Sequence, residues 1–259
     1  MTVLATPLDM MRPCGAVETM AMRRVVFSVA IDRYAPEMQA DDLGGCVKDS
    51  EAITALCREM GFEVVALHNE QATVEMIVAT FTGLAQDLKS GDCLLVHWSG
   101  HGTQVPDRNN DEPDALDEAS LCYNRILTDD QIGRLLDNFV EGVEIVMLHD
   151  VCHGQDMGRS ELVAKIPRSD RSAERIAPDA SVVAISTTLT TQTAGDTRQG
   201  GIGTQALLRA WAAIKDRRPS WRDWVKRAQR NMRGQTFAVT QYGPRGLLDD
   251  EAFWSRPVA

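Results

Sequence analysis

The sequence predicts an α/β fold: one mostly parallel central sheet with helices on both faces, forming a single domain. Three observations predict it. Short β-branched apolar runs recur along the chain, each long enough for one buried strand. Segments with apolar residues at helical spacing separate them, the alternation expected of βαβ units. The 259 residues, 44% of them hydrophobic, suffice for one sizeable core.

Residues 1–22 show no clear periodicity and are expected to be an N-terminal extension, leaving 23–259 as the folded domain. Val25 to Ile31 is the first buried strand. Val47, Ala52, Ile53 and Leu56 recur at helical spacing from Val47 to Met60, and Gly61 stops that helix. Glu63 to Leu67 is a second strand, and Thr73 to Lys89 a helix ended by Ser90-Gly91. Leu94 to Trp98 is a third strand; in the Ser99-Gly100-His101-Gly102 that follows, two glycines flank a histidine as in a tight turn. A polar, acidic loop is expected from Asp107 to Glu118, then a helix from Thr128 to Phe139 capped by Thr128 or Asp129. Val143 to Leu148 is the strand leading into Asp150-Val151-Cys152-His153-Gly154. Gly154 to Pro178 reads as a long surface loop. Ser181 to Ser186 is a strand, Thr204 to Lys215 and Trp221 to Met232 are helices, and Thr236 to Gln241 is a last short strand.

Composition excludes several roles. A formal net charge of −10 disfavours nucleic acid and anionic membrane as partners, since both reward basic surfaces. No apolar run approaches the length of a membrane span, and no signal peptide is evident, so the cytoplasm is expected. The six cysteines form no CxxC pair; they are expected to be reduced, with Cys57 and Cys93 in the core.

His101 and Cys152 both fall where a strand ends, the place an open α/β sheet keeps its ligand crevice. A thiol needs a base or a positive partner to act as a nucleophile at neutral pH, and His101 supplies one. Gly102, having no side chain, lets its N–H approach a substrate carbonyl and form an oxyanion hole with the Cys152 N–H. Asp150 lies two residues before Cys152, on the same face of an extended chain. A carboxylate there raises a thiol pKa but suits a cationic substrate side chain; alternatively it caps or ties down a neighbouring loop. His97 and His149 read as packed core histidines. A zinc site of His101, His149, Cys152 and His153 is a weaker reading, because the spacing repeats no ligand motif. Asp107 to Glu118 partly imitates a calcium-binding loop, but Glu112 stands where that loop needs glycine. Gly200-Gly201-Ile202-Gly203 reads as a flexible turn. The basic stretch Arg217 to Arg233, with Trp221 and Trp224, reads as an amphipathic helix.

Taken in order, these motifs resemble the caspase-like clan of cysteine peptidases, in particular bacterial metacaspase-like (orthocaspase) proteins. Ser99-Gly100-His101-Gly102 and Asp150-x-Cys152-His153 carry the resemblance. Gly45-Cys46-Val47-Lys48-Asp49, Leu116-Asp117-Glu118, Ile126-Leu127-Thr128-Asp129-Asp130, Gln192-Thr193-Ala194-Gly195-Asp196 and Gln241-x-Gly243-Pro244 extend it from Val25 to Phe253. It implies a caspase-like peptidase domain over 23–259, with His101 and Cys152 as the dyad. It also implies an acidic pocket of Asp49 and Asp150, hence cleavage of protein or peptide substrates after Arg or Lys. Calcium stimulation is implied too, through Asp117, Asp129, Asp130 and Asp156. One departure stands out: the family's Asp-Ser-Cys-His-Ser-Gly is here Asp150-Val151-Cys152-His153-Gly154-Gln155. A catalytically weak scaffold or regulatory module is therefore the alternative. A peptidase of this specificity is expected to process itself at Lys165, Arg168, Arg171 or Arg175, and a monomer is expected.

Overall fold

The computed structural model describes residues 22–106, 115–155, 178–187, 196–197, 200–230, 232 and 235–252. The 1–22 extension falls outside it except for Met22, as do the 107–114 part of the acidic loop and the four self-processing candidates.

The strands are β1 (Arg24–Ala30), β2 (Glu63–His68), β3 (Cys93–Pro106), β4 (Leu116–Leu121), β5 (Ile126–Thr128), β6 (Glu144–Gln155), β7 (Ser181–Ser186), β8 (Asp196–Thr197), β9 (Gly200–Gly201) and β10 (Ala238–Tyr242). The α-helices are α1 (Cys46–Glu59), α2 (Val74–Asp87), α3 (Asp129–Leu136), α4 (Ile202–Ile214) and α5 (Trp221–Gln229). The main sheet runs β10-β7-β6-β3-β1-β2, with β4 and β5 continuing from β3. Every pairing from β2 to β7 along that path is parallel; β10 adds to β7 antiparallel. This is the mostly parallel α/β sheet that the alternation of strand and helix patterns predicts.

Strict alternation along the strands sends successive side chains into two cores. Phe27, Val96, Trp98 and Ile145 pack beneath α2 and α3, against Ile77, Phe81, Ile132 and Leu135. Val26, Leu95, Val146 and Val183 pack on the other face against α1, α4 and α5. Trp224 Nε1 donates to the Leu207 carbonyl at 2.7 Å, tying α5 to α4. Cys46, Cys57, Cys93 and Cys122 are buried and unbridged. Among the described residues, no helix is long and apolar enough to cross a membrane.

Local chemistry sets the helix starts. Thr73 accepts the Met76 N–H at 3.3 Å to begin α2. At α3, Thr128 and Gln131 form a reciprocal capping box, so Thr128 rather than Asp129 is the cap. Gly45 has no side chain with which to cap α1; Asp32 substitutes, accepting the Cys46 N–H at 2.8 Å.

Three expectations are corrected. Ser99 to Gly102 is no turn: β3 runs straight through it for 14 residues, because β6 on one edge, and then β4 on the other, keep its backbone paired. The end of the acidic stretch is not loop but strand β4, in a hairpin with β5. Gly200-Gly201 is not a free turn either; it pairs with Asp196–Thr197 and leads into α4.

Candidate active site

Strand register brings the sequence candidates together. On β3 and β6, Ser99 pairs with Asp150 and His101 with Cys152, so the two backbones pass at the roughly 4.8 Å spacing of hydrogen-bonded strands. Positions 99, 101, 150 and 152 thus fall on one face of the sheet, the α1, α4 and α5 face, at the carboxyl ends of the parallel strands. Immediately beyond, the β3–β6 register breaks between His101 and Thr103. Gly102 sits at that irregularity, paired across the other edge with Ser120.

His101 is 6% exposed and is held at two points. Its Nε2 lies 2.9 Å from the Asp41 carbonyl oxygen. A carbonyl can only accept, so Nε2 carries the proton and Nδ1 is the basic nitrogen. The His101 main-chain N–H donates to the Tyr34 hydroxyl at 2.7 Å, and the two rings stack tilted, 5.3 Å apart. Burial pushes the Tyr34 phenol well above its usual range. Neither Tyr34 nor Asp41 stands out in the sequence. A main-chain carbonyl carries no residue signature, and a tyrosine in a loop is unremarkable until the loop is seen folded over β3.

Asp49, in the first turn of α1, and Asp150, on β6, are 0% and 6% exposed and converge on the start of α4. The Gly201 N–H donates to Asp49 Oδ2 at 2.7 Å, Ser99 Oγ to the same oxygen at 3.3 Å, and Gln205 Nε2 to Oδ1 at 3.4 Å. Asp150 receives the Thr187 hydroxyl at 2.6 Å and the Thr204 N–H at 2.8 Å. Gly201, the N-cap of α4, has no side chain to satisfy the helix's first amides, and the two aspartates do so. Asp150 therefore does cap α4, the alternative role its sequence position leaves open. Burial, and then the nearby Asp150 charge, push the Asp49 carboxyl up to about 7 against the pull of the Gly201 N–H.

Behind this pair runs a buried polar chain. His68 Nε2 meets Ser50 Oγ at 2.8 Å, Ser50 meets Ser28 at 2.7 Å, and Ser28 meets His97 Nδ1 at 2.9 Å. His97 is fully buried, and burial, followed by His149 and His68, lowers its pKa to about 3. It is the neutral core histidine expected.

Of the residues expected to bind calcium, Asp117 lies on β4, while Asp129 and Asp130 open α3; the β4–β5 hairpin makes them neighbours. Burial, with Asp130, Glu118 and Asp117 nearby, pushes the Asp129 carboxyl up to about 7. Asp130 also faces Arg134 at 3.8 Å. Asp156 lies outside the described residues. Among the described residues, no three His, Cys, Asp or Glu side chains converge closely enough to hold a metal ion.

The sequence profile of the caspase domain matches residues 23–244. Metacaspase-4 of Arabidopsis thaliana is 31% identical over 123 residues, covering 43% of this chain and 29% of that protein. Metacaspase-1 of Kluyveromyces lactis is 27% identical over 146 residues, covering 51% of this chain and 33% of that protein. The matches span about a third of the length of these curated relatives. A crystal structure of a Geobacter sulfurreducens protein superposes with a TM-score of 0.76 at 27% identity, covering 89% of this chain and 98% of that one. A sheet of this topology and a profile match over nearly the whole domain lead to one conclusion: the chain belongs to the caspase-domain family of cysteine peptidases.

Proposed function

We propose that this protein is a cysteine endopeptidase that cleaves protein or peptide substrates after Arg or Lys. The observation that supports this most is the β3–β6 register, which sets His101 against Cys152 and, one step deeper, Ser99 against Asp150. Cys152 is the nucleophile. Its proton passes to His101 Nδ1 as sulfur attacks the scissile carbonyl, and the Gly102 and Cys152 amides receive the oxyanion. The imidazolium then protonates the leaving amine, and water releases the acyl group from sulfur with His101 again acting as base.

Asp49 and Asp150 hold the basic side chain of the residue before the scissile bond. Ionised carboxylates offer about four acceptor sites each, so both retain capacity beyond the internal donors, and the 3.4 Å contact from Gln205 is readily exchanged for a guanidinium or ammonium. Calcium is the proposed activator. Asp117, Asp129 and Asp130 carry the hard oxygens it favours, with Asp156 as a fourth candidate; they would have to draw closer together to ligate it, and calcium bound there would neutralise their crowded charge. No chemical step runs through it.

The test is cleavage of fluorogenic peptides ending in Arg, Lys or Asp, with Cys152→Ala as control and calcium added or chelated. Preference for Arg or Lys, abolished in Cys152→Ala, is expected. Preference for Asp, or activity that survives the substitution, defeats the proposal. The second reading, a non-catalytic module, rests on the aspartates already serving as the α4 cap. A basic-residue chloromethyl ketone separates the two, because a scaffold leaves Cys152 unlabelled.

A further inference from the structure

We propose that Tyr34 is a positioning residue for the catalytic base, and that Gly100 is glycine in order to admit its hydroxyl. The proposal rests on His101 being that base. Strand β1 pairs with β3 only as far as Ala30 opposite Ser99, with one further bond from the Ile31 N–H to the Ser99 carbonyl. Strand β4 takes over the same edge only from Gly102. His101 lies in the gap. Its N–H faces an edge with no strand on it, and the Tyr34 hydroxyl fills the vacancy at 2.7 Å.

That hydroxyl can accept from His101 while donating to the Ile31 carbonyl, 3.4 Å away, at the end of β1. The same loop, between β1 and α1, supplies the Asp41 carbonyl that holds the ring at Nε2. One loop therefore clamps both the main chain and the imidazole of His101. Releasing the main-chain hold lets the ring drift from its Asp41 partner, and a base displaced by a fraction of an ångström loses rate without losing substrate affinity.

Gly100 provides an independent handle. A Cβ built there would stand 3.0 Å from the Tyr34 oxygen, with its next neighbours, both in Ile31, at 3.8 Å. No positive φ requires glycine at this position. The hydroxyl is the reason for it.

The experiment uses the full chain as Tyr34→Phe, Gly100→Ala and the double variant, each checked for folding by thermal melting. Two readouts are taken: kcat and KM on an Arg peptide, and the rate at which iodoacetamide alkylates Cys152. Tyr34→Phe is expected to lower kcat about tenfold, the rate equivalent of one net hydrogen bond, with KM unchanged. Alkylation should slow in parallel, since thiolate character depends on the histidine beside it. Gly100→Ala should do the same in the wild-type background and nothing more in Tyr34→Phe, where no hydroxyl is left to displace. Multiplying losses in the double variant, or normal kcat and alkylation in Tyr34→Phe, overturns the proposal. Alkylation needs no substrate, so a failure of Arg/Lys specificity leaves this test standing. Should Tyr34→Phe not fold, Gly100→Ala decides alone: normal kcat and alkylation in that variant overturn the idea.

Discussion

On the proposed specificity, Asp49 must carry a charge in a place that resists charge. Its carboxyl is fully buried and pushed up to about 7, whereas a basic guest needs it ionised. On Arg or Lys peptides, kcat/KM is therefore expected to rise as pH passes through about 7. Asp49→Asn should flatten that rise and lower kcat/KM at pH 8 by on the order of 100-fold, the cost of removing one partner of a desolvated charge pair. Stability moves the opposite way. The folded state holds this proton more tightly than the unfolded chain, so the contribution is complete below about pH 3.9 and is lost as pH climbs through about 7. Asp49→Asn should accordingly melt above the wild type at pH 8, with the gap closing toward pH 4. Calorimetry showing a gap that widens in acid would refute this assignment. His97 titrates with the other sign: held neutral down to about 3, it supports the fold above about pH 6.5 and ceases to do so as pH falls. The comparison must therefore be variant against wild type at each pH, so that the His97 contribution cancels.

At the scale of elements, the proposed pocket and helix α4 share the same two carboxylates. A Cβ on Gly201 would stand 2.3 Å from Asp150 Oδ2 and 3.1 Å from Asp49 Oδ2, so Gly201→Ala must push the carboxylates or the helix aside. At least a tenfold fall in kcat/KM on basic peptides is expected, the equivalent of losing one net hydrogen bond or more. Gly133→Ala, within α3 and with nothing inside 4 Å, is the control: it should raise the melting temperature and leave kinetics alone. Equal kinetics in the two variants would dissociate the pocket from the helix. The same elements show where sequence reading succeeds and where it stops. Val25 to Ile31, the helix before Gly61 and the Thr128 cap were legible, because hydrophobic period and capping chemistry are local. The sequence misleads at Ser99 to Gly102, because two glycines signal a turn locally while pairing to β6 and β4 is decided by distant residues. Leu116–Leu121 was missed because a strand starting in an acidic run shows no apolar alternation until its partner Ile126–Thr128 is in place. His101, Cys152 and Asp150 are legible from the ends of apolar runs, although β3 and β6 do not end there but continue to Pro106 and Gln155. Asp49 came only through family resemblance, since nothing in helix α1 announces that it faces Asp150.

Over the whole molecule, the sheet separates two jobs. The core under α2 and α3 contains neither the dyad nor the paired aspartates, although Tyr34 packs against it, while the opposite face carries the polar positions 99, 101 and 150 in line with its own core. Around this stands a net charge of −10, whose field extends well beyond the pocket. A substrate of the proposed basic class would feel that field before reaching Asp49. Encounter should therefore be salt-sensitive while chemistry at sulfur is not, since the Debye length shrinks from about 10 Å at 0.1 M to about 3 Å at 1 M. Raising ionic strength from about 0.05 to 0.5 M is expected to lower kcat/KM on Arg or Lys peptides severalfold, with kcat unchanged. Alkylation of Cys152 by iodoacetamide, which is uncharged, should not respond to salt at all. If salt leaves kcat/KM flat, recognition depends only on the two buried carboxylates; if it slows alkylation as well, salt is acting on the fold and not on the approach.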